Sequence, residues 1–236
     1  TDEKRIKAVT VLFSDIEGRL HMLDYDKKFL VKSWDNLTFD GSSIRGFTAQ
    51  RESDLRLAMD WSAFYWPPAD FFGAGKVLVF GEIIDKDGSP YSADTRGLLK
   101  GYAGKLHQEK GYTLNAANEI EGFLFQGMDA ERHFHETGKF EYVNTGGYYH
   151  SLPGDPLRTF IDTAAEVQRA MGFQNEKDHP EVAPSQFEIN YGYSEVVAAG
   201  DQIQLYKLIC RQVATKLGCT ASFLPKPVVG VNGSGM

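Results

Sequence analysis

The chain has 236 residues, 42% of them hydrophobic and 24% charged, with a formal net charge of -7 and a pI near 5.4. That is enough material for one large globular domain or two smaller ones, and an acidic field with scattered Lys and Arg argues against nucleic acid or an anionic membrane surface as partner. Two cysteines, Cys210 and Cys219, occur without a CxxC or a Cys/His cluster. They encode neither a disulfide framework nor a structural zinc site and read as core or helix-surface thiols of a reducing compartment. No apolar run approaches the roughly 18–20 residues of a membrane span, and Thr1-Asp2-Glu3-Lys4-Arg5 lacks an apolar signal core, so a cytoplasmic protein is expected.

In chain order, Ala8 to Phe13 is β-branched and weakly alternating, Asp15-Ile16-Glu17-Gly18 supplies a turn, and Leu20 to Leu23 resumes, which is the pattern of a hairpin. Val77 to Ile84 predicts a strong strand that ends in the Asp87-Gly88 turn. The first ~90 residues read as a small sheet-rich domain with loops, among them Asp40-Gly41-Ser42-Ser43. From Asp94 the texture changes. The pattern predicts a helix over Thr95 to Glu109, a strand over Tyr112 to Phe125, and a helix over Pro156 to Met171 closed by Gly172. A strand over Val182 to Tyr191 and a long helix over Glu195 to Leu217, stopped by Gly218, complete it. The boundary falls between Pro90 and Asp94, giving domains 1–92 and 93–236.

The most informative local feature is Glu119-Ile120-Glu121 leading into Gly122-Phe123-Leu124-Phe125. On an extended strand both acids point the same way, roughly 6–7 Å apart. Two bare charges at that spacing repel by roughly 2–3 kcal/mol at an effective dielectric near 20. A cation held by oxygen ligands answers that repulsion, whereas a half-exposed polar face is the plain alternative. Glu181 and Glu188, in Glu181-Val182-Ala183-Pro184-Ser185-Gln186-Phe187-Glu188, add two more carboxylates in apolar surroundings. Four glutamates on two neighbouring strands would suit metal-assisted phosphoryl transfer. The chain ends on Lys226-Pro227 and the glycine-rich Asn232-Gly233-Ser234-Gly235-Met236, a loop whose amides could approach an anion, though it matches neither the Gly-Lys-Ser/Thr phosphate loop nor GxGxxG.

Phe39-Asp40-Gly41-Ser42-Ser43-Ile44, Asn118-Glu119-Ile120-Glu121-Gly122-Phe123, the Glu181 to Glu188 motif, and Lys226-Pro227 with Asn232-Gly233-Ser234-Gly235-Met236 stand in the order in which the chain resembles glutamine synthetases, from about Ala8 to Met236. The resemblance implies an α+β fold: a small N-terminal β-grasp domain, then the first part of a catalytic domain with an antiparallel sheet and helices. It implies ATP-dependent joining of ammonia to the side-chain carboxylate of L-glutamate through a γ-glutamyl phosphate. By that resemblance Glu121, Glu181 and Glu188 hold the Mg2+ or Mn2+ nearer glutamate, and Glu119 serves the metal nearer the ATP phosphates. Asn232 and Gly233 line the glutamate pocket, Glu176 approaches the nucleotide, and Asp40 acts across a subunit boundary on ammonium. A ring-shaped homo-oligomer of the dodecamer type is implied as well.

The sequence departs from the family pattern at Ser185, where glycine is common, and in a shortened N-terminal helix. The pattern also continues past Met236 with a histidine, arginines and a further glutamate. The expectation is therefore a chain of roughly the first half of such an enzyme, inactive alone. Joining glutamate to methylamine or a polyamine, and a non-catalytic scaffold of the same fold, are the alternatives. His133 and His135 read as solvent-exposed in a polar loop, and Tyr148, Tyr149, Trp61, Tyr65 and Trp66 as packing residues rather than nucleotide stackers.

Overall fold

The computed structural model describes residues 6–150 and 152–236, so the Thr1 to Arg5 segment of the signal argument lies outside the described residues. Described residues up to Asn115, together with Glu195–Asp201, form one compact unit; Ala116–Ser194 with Gln202–Met236 form the other. No helix among the described residues is long and apolar enough to cross a membrane.

The first unit contains β1 (Ala8–Ser14), β2 (Leu20–Asp26), α1 (Lys27–Ser33), β3 (Leu37–Asp40), β4 (Asp54–Tyr65), α2 (Ala69–Phe72), β5 (Lys76–Ile84) and α3 (Thr95–Lys110). β1 and β2 form the expected antiparallel hairpin, from Ala8 opposite Asp26 to Ser14 opposite Leu20. Its turn is built by Asp15, whose carboxylate accepts the amides of Glu17 and Arg19 at 2.9 Å each, with Gly18 at φ 75°. The five strands are ordered β2-β1-β5-β4-β3, with β1 and β5 parallel. Val9, Val11, Phe13, Leu37, Phe39, Leu55, Leu57, Val79 and Ile83 make the core on one face. β3, β4 and α1 lay unread in the sequence. In β4 the alternation is broken by a bulge between Met59 and Phe64, where Asp60 accepts the Ser62 amide and hydroxyl, so no clean period of two survives.

Arg96, in the first turn of α3, is the charged centre of this unit. Its guanidinium meets Asp201 with two 2.8 Å hydrogen bonds, Asp60 at 3.0 Å and Glu82 at 3.4 Å. Lys100, one turn on, reaches Asp60 at 3.3 Å and also pairs with Glu82. Burial pushes the Asp60 carboxyl up, but hydrogen bonds from Ser62 and Arg96 outweigh it and leave the group well below the usual carboxylate range. Asp24, bonded by Lys76 and Thr10, is lowered too. A depressed folded-state pKa contributes stability that is present above the unfolded value near ~3.9 and lost as pH falls below it. Asp94 and Asp201, both raised by burial, oppose this in part. The expected result is a urea midpoint of the first unit that drops as pH falls from about 5 to about 3. Tryptophan fluorescence reads it directly, because Trp34, Trp61 and Trp66 all lie in this unit; an unchanged midpoint would contradict it.

From Asn115 on come β6 (Asn115–Ala116), β7 (Glu121–Gln126), α4 (Ala130–Thr137), α5 (Pro156–Ala170), β8 (Asn175–Pro180), β9 (Gln186–Tyr191), β10 (Ser194–Glu195), α6 (Val196–Lys216) and β11 (Cys219–Ser222). Within the second unit the sheet order is β11-β7-β9-β8, all antiparallel. α5 starts as the sequence predicts, with Asp155 capping the Leu157 amide at 2.9 Å and Pro156 in the first turn. Its buried face, Leu157, Phe160, Ile161 and Ala164, packs on β8 and β9, with Phe160 4.7 Å from Phe187 between ring centroids. Cys210 and Cys219 are both buried and unpaired.

Four sequence expectations change here. The predicted strand over Tyr112 to Phe125 is broken. Only Asn115–Ala116 and Glu121 onward are extended, because the Ile120 carbonyl is taken by the Tyr206 hydroxyl at 2.8 Å and the Glu121 amide by the Gly235 carbonyl at 3.2 Å. The predicted strand over Val182 to Tyr191 begins only at Gln186. Residues 181–185 are a turn closed by the Glu181 amide on the Gln186 carbonyl at 2.8 Å, and β8 pairs in front of it. His133 and His135 lie on α4 rather than in a loop, and His133 pairs with Glu141 at 3.3 Å. Tyr148 and Tyr149 are exposed, stacked on each other at 3.8 Å, and stand edge-on to His179, so they are not core packing residues.

Candidate metal centre

Strand register assembles the site. Glu121, at the start of β7, lies opposite Glu188 of β9, and His179 of β8 lies opposite Glu188 from the other side. Directly paired residues share a face, so three side chains from three strands converge on the middle one. Glu181 follows β8 by one residue and enters through the turn. Gly122 lets the strands close in: a methyl there would meet Phe187 Cζ at 2.7 Å and the Ser222 carbonyl at 3.1 Å.

His179, Glu181 and Glu188 are all buried, with one ligand atom from each inside 4.8 Å of the others. His179 Nδ1 is 3.4 Å from Glu181 Oε1 and Nε2 is 3.8 Å from Glu188 Oε2. Nδ1 also stands 3.2 Å from the Pro180 carbonyl, which accepts its proton and leaves Nε2, buried and without a hydrogen-bond partner, facing a carboxylate. Burial, then hydrogen bonding to Glu188 and the charge of Glu121, push the Glu181 carboxyl up to about 7. Buried carboxylates crowded around an unsatisfied imidazole nitrogen need a positive centre, and a divalent cation with oxygen and nitrogen ligands fits that donor set.

The turn that carries Glu181 is held by Ser185, which stands at φ 60°. A non-glycine residue there costs of order 1 kcal/mol. The serine hydroxyl offsets it by accepting the amides of Val143 at 2.8 Å and Asn144 at 3.1 Å, which accounts for a residue other than the glycine of the family pattern.

The other sequence candidates sit apart from this cluster. Glu119 is exposed and lies two residues before β7, so only Glu121 of the pair stands on the strand. Glu176 is exposed on β8. Asp40, in the first unit, ends β3 and is exposed. Hydrogen bonds from Ser42 and Ser43 hold its carboxyl below the usual range. Asn232 is exposed in the terminal loop, and the Gly233 carbonyl accepts a hydrogen bond from Gln186 Nε2 at 2.9 Å. Two contributors, His179 and Gln186, went unread. Each lies two positions from a motif glutamate, and that i, i+2 spacing was the signal that could have found them.

Fold and site together define a two-part α+β chain with a buried cluster of carboxylates and one histidine at the meeting of three strands. Family profiles match over most of its length: glutamine synthetase, beta-Grasp domain, over residues 5–86, and glutamine synthetase, catalytic domain, over residues 92–236. The chain belongs to the glutamine synthetase family. It is similar to the glutamine synthetases of Methanosarcina mazei (38% identical, 99% of this chain and 51% of that one), Clostridium saccharobutylicum (36%, 99% and 52%) and Thermotoga maritima (34%, 100% and 52%). The chain thus spans about half the length of these curated relatives. Among solved structures the fold matches a GmaS–ADP complex with a TM-score of 0.83 at 20% identity, over 98% of this chain and 52% of that one. It also matches Plasmodium falciparum glutamine synthetase with a TM-score of 0.82 at 21% identity, over 98% and 50%.

Proposed function

We propose that the chain supplies the glutamate-side metal site and part of the glutamate pocket of an ATP-dependent ligase that joins ammonia to L-glutamate through a γ-glutamyl phosphate. The observation that carries this reading is that Glu121 stands opposite Glu188, which forms one buried cluster with Glu181 and His179, in a chain of this family. Those three would hold Mg2+ or Mn2+, whose charge neutralises the γ-carboxylate and the transferred phosphoryl when bound. Glu119 would serve the second metal, nearer the ATP phosphates, and Glu176 the nucleotide. Asn232 and Gly233 would orient glutamate, so that its side-chain carboxylate is presented in one geometry. Asp40, kept ionised by Ser42 and Ser43, suits a group that binds ammonium and takes its proton. We place it across a subunit boundary in a ring-shaped homo-oligomer, with the functional division at residues 1–92 and 93–236.

Phosphate release that requires ATP, glutamate and ammonia together, measured on the full-length protein, is the expected result. No release from a protein that binds Mn2+ would sink the reading in favour of a scaffold. Faster turnover with methylamine than with ammonia would replace the amine substrate while leaving the metal site in place.

A further inference from the structure

We propose that Gln186 is a positioning residue that makes occupation of the Glu121 site and ordering of the terminal loop one coupled event; this rests on the metal reading above. Gln186 opens β9, is fully buried, and shares a pleat face with Glu188. Its Oε1 accepts the Ala183 amide at 3.1 Å and so fixes the turn that carries Glu181. Its Nε2 donates to Glu121 Oε2 at 3.0 Å and to the Gly233 carbonyl at 2.9 Å, with Ser234 Oγ at 3.4 Å. One amide therefore touches the carrier of one ligand, a second ligand, and the loop.

The loop returns to the same carboxylate. The Gly235 amide donates to Glu121 Oε2 at 3.0 Å, and the Gly235 carbonyl accepts the Glu121 amide at 3.2 Å. Oε2 is then filled by two donors, which leaves Oε1 for a cation. The loop approaches as bare backbone: a methyl at Gly235 would stand 3.3 Å from Glu121 Oε1, and one at Gly233 2.6 Å from the Pro225 carbonyl oxygen. A neutral amide suits the junction. Lysine would bring a charge competing with the cation, and glutamate would repel Glu121 and offer no donor. Because one side chain holds both ligand and loop, whatever fixes either one favours the other to the same extent.

Hydrogen exchange of the loop amides, with and without saturating Mn2+, tests this in the 236-residue chain and in Gln186→Leu and Gln186→Glu. Gln186→Glu keeps the acceptor for Ala183, so it decides the matter where Gln186→Leu fails to fold. Mn2+ is expected to slow exchange at residues 233–235 about tenfold in the parent and less than about twofold in the variants, although they still bind Mn2+. Equal slowing in parent and variants would overturn the proposal. Should Mn2+ bind none of the three proteins, the metal reading fails. The clamp is then judged on metal-free exchange, which both variants must accelerate; unchanged rates would reject it.

Discussion

Arg96→Ala should lower the unfolding free energy of the first unit by about 3–5 kcal/mol, the cost of leaving a buried ion without its partner. Asp201 and Arg96 are almost fully buried and joined by two hydrogen bonds of 2.8 Å. Burial pushes the Asp201 carboxyl above its ordinary value in spite of the guanidinium beside it, while hydrogen bonds and charge from Asp201 and Asp60 outweigh burial and hold Arg96 protonated. Removing the arginine strands Asp201 and leaves Lys100, among the described residues, as the cation paired with Asp60 and Glu82. The packing of the guanidinium over Phe80, at 5.6 Å, goes as well. Arg96→Lys should restore only part of the loss, since an ammonium cannot make the two-pronged contact. Urea unfolding followed by tryptophan fluorescence measures it. A loss under about 1 kcal/mol would show that solvent reaches the network and that it behaves like a surface ion pair. The double variant Arg96→Leu with Asp201→Leu should be less damaging than Arg96→Ala alone, because no buried charge is stranded at that position.

Glu188→Gln should act in opposite directions on binding and on folding. Glu188 is the strand position on which Glu121, His179 and Glu181 converge, and it is buried. Losing its charge should weaken Mn2+ binding by roughly 100-fold or more, at or beyond the loss seen when only a supporting residue is changed. The metal-free protein should become more stable by of order 1 kcal/mol, since a buried repulsion among carboxylates is relieved and the size of the side chain is kept. Free Mn2+ measured by electron paramagnetic resonance gives the first quantity, and far-UV circular dichroism in urea gives the second. Unchanged Mn2+ affinity would remove Glu188 from the ligand set. Lower metal-free stability would mean that its charge is already compensated inside the protein.

Elements with a strong period or a clear punctuation mark were legible in the sequence. β1 and β5 show as β-branched runs and β2 as the apolar stretch that resumes after the Gly18 turn, and α3, α5 and α6 as helices ended by glycine. β4 and β8 were not. The first carries a bulge whose Asp60 and Ser62 erase the alternation, and the second, Asn175–Pro180, is polar, with His179 its only aromatic side chain. The carboxylates of the site were visible because acids are unusual in apolar surroundings. His179 and Gln186 passed as ordinary polar residues.

The amino-acid order by itself determined which acids would be costly to bury, where the chain turns, and the family to which the motifs point, because these depend on residue type and short spacing. Only the tertiary structure decided which acids meet. The register of β7, β9 and β8 puts Glu121, Glu188 and His179 side by side. The end of the β7 ladder at Glu121 leaves Glu119 outside, though it is only two residues away. A long-range hydrogen bond from the Tyr206 hydroxyl to the Ile120 carbonyl and one from the Glu121 amide to the Gly235 carbonyl set that limit, and no local pattern encodes partners so far along the chain.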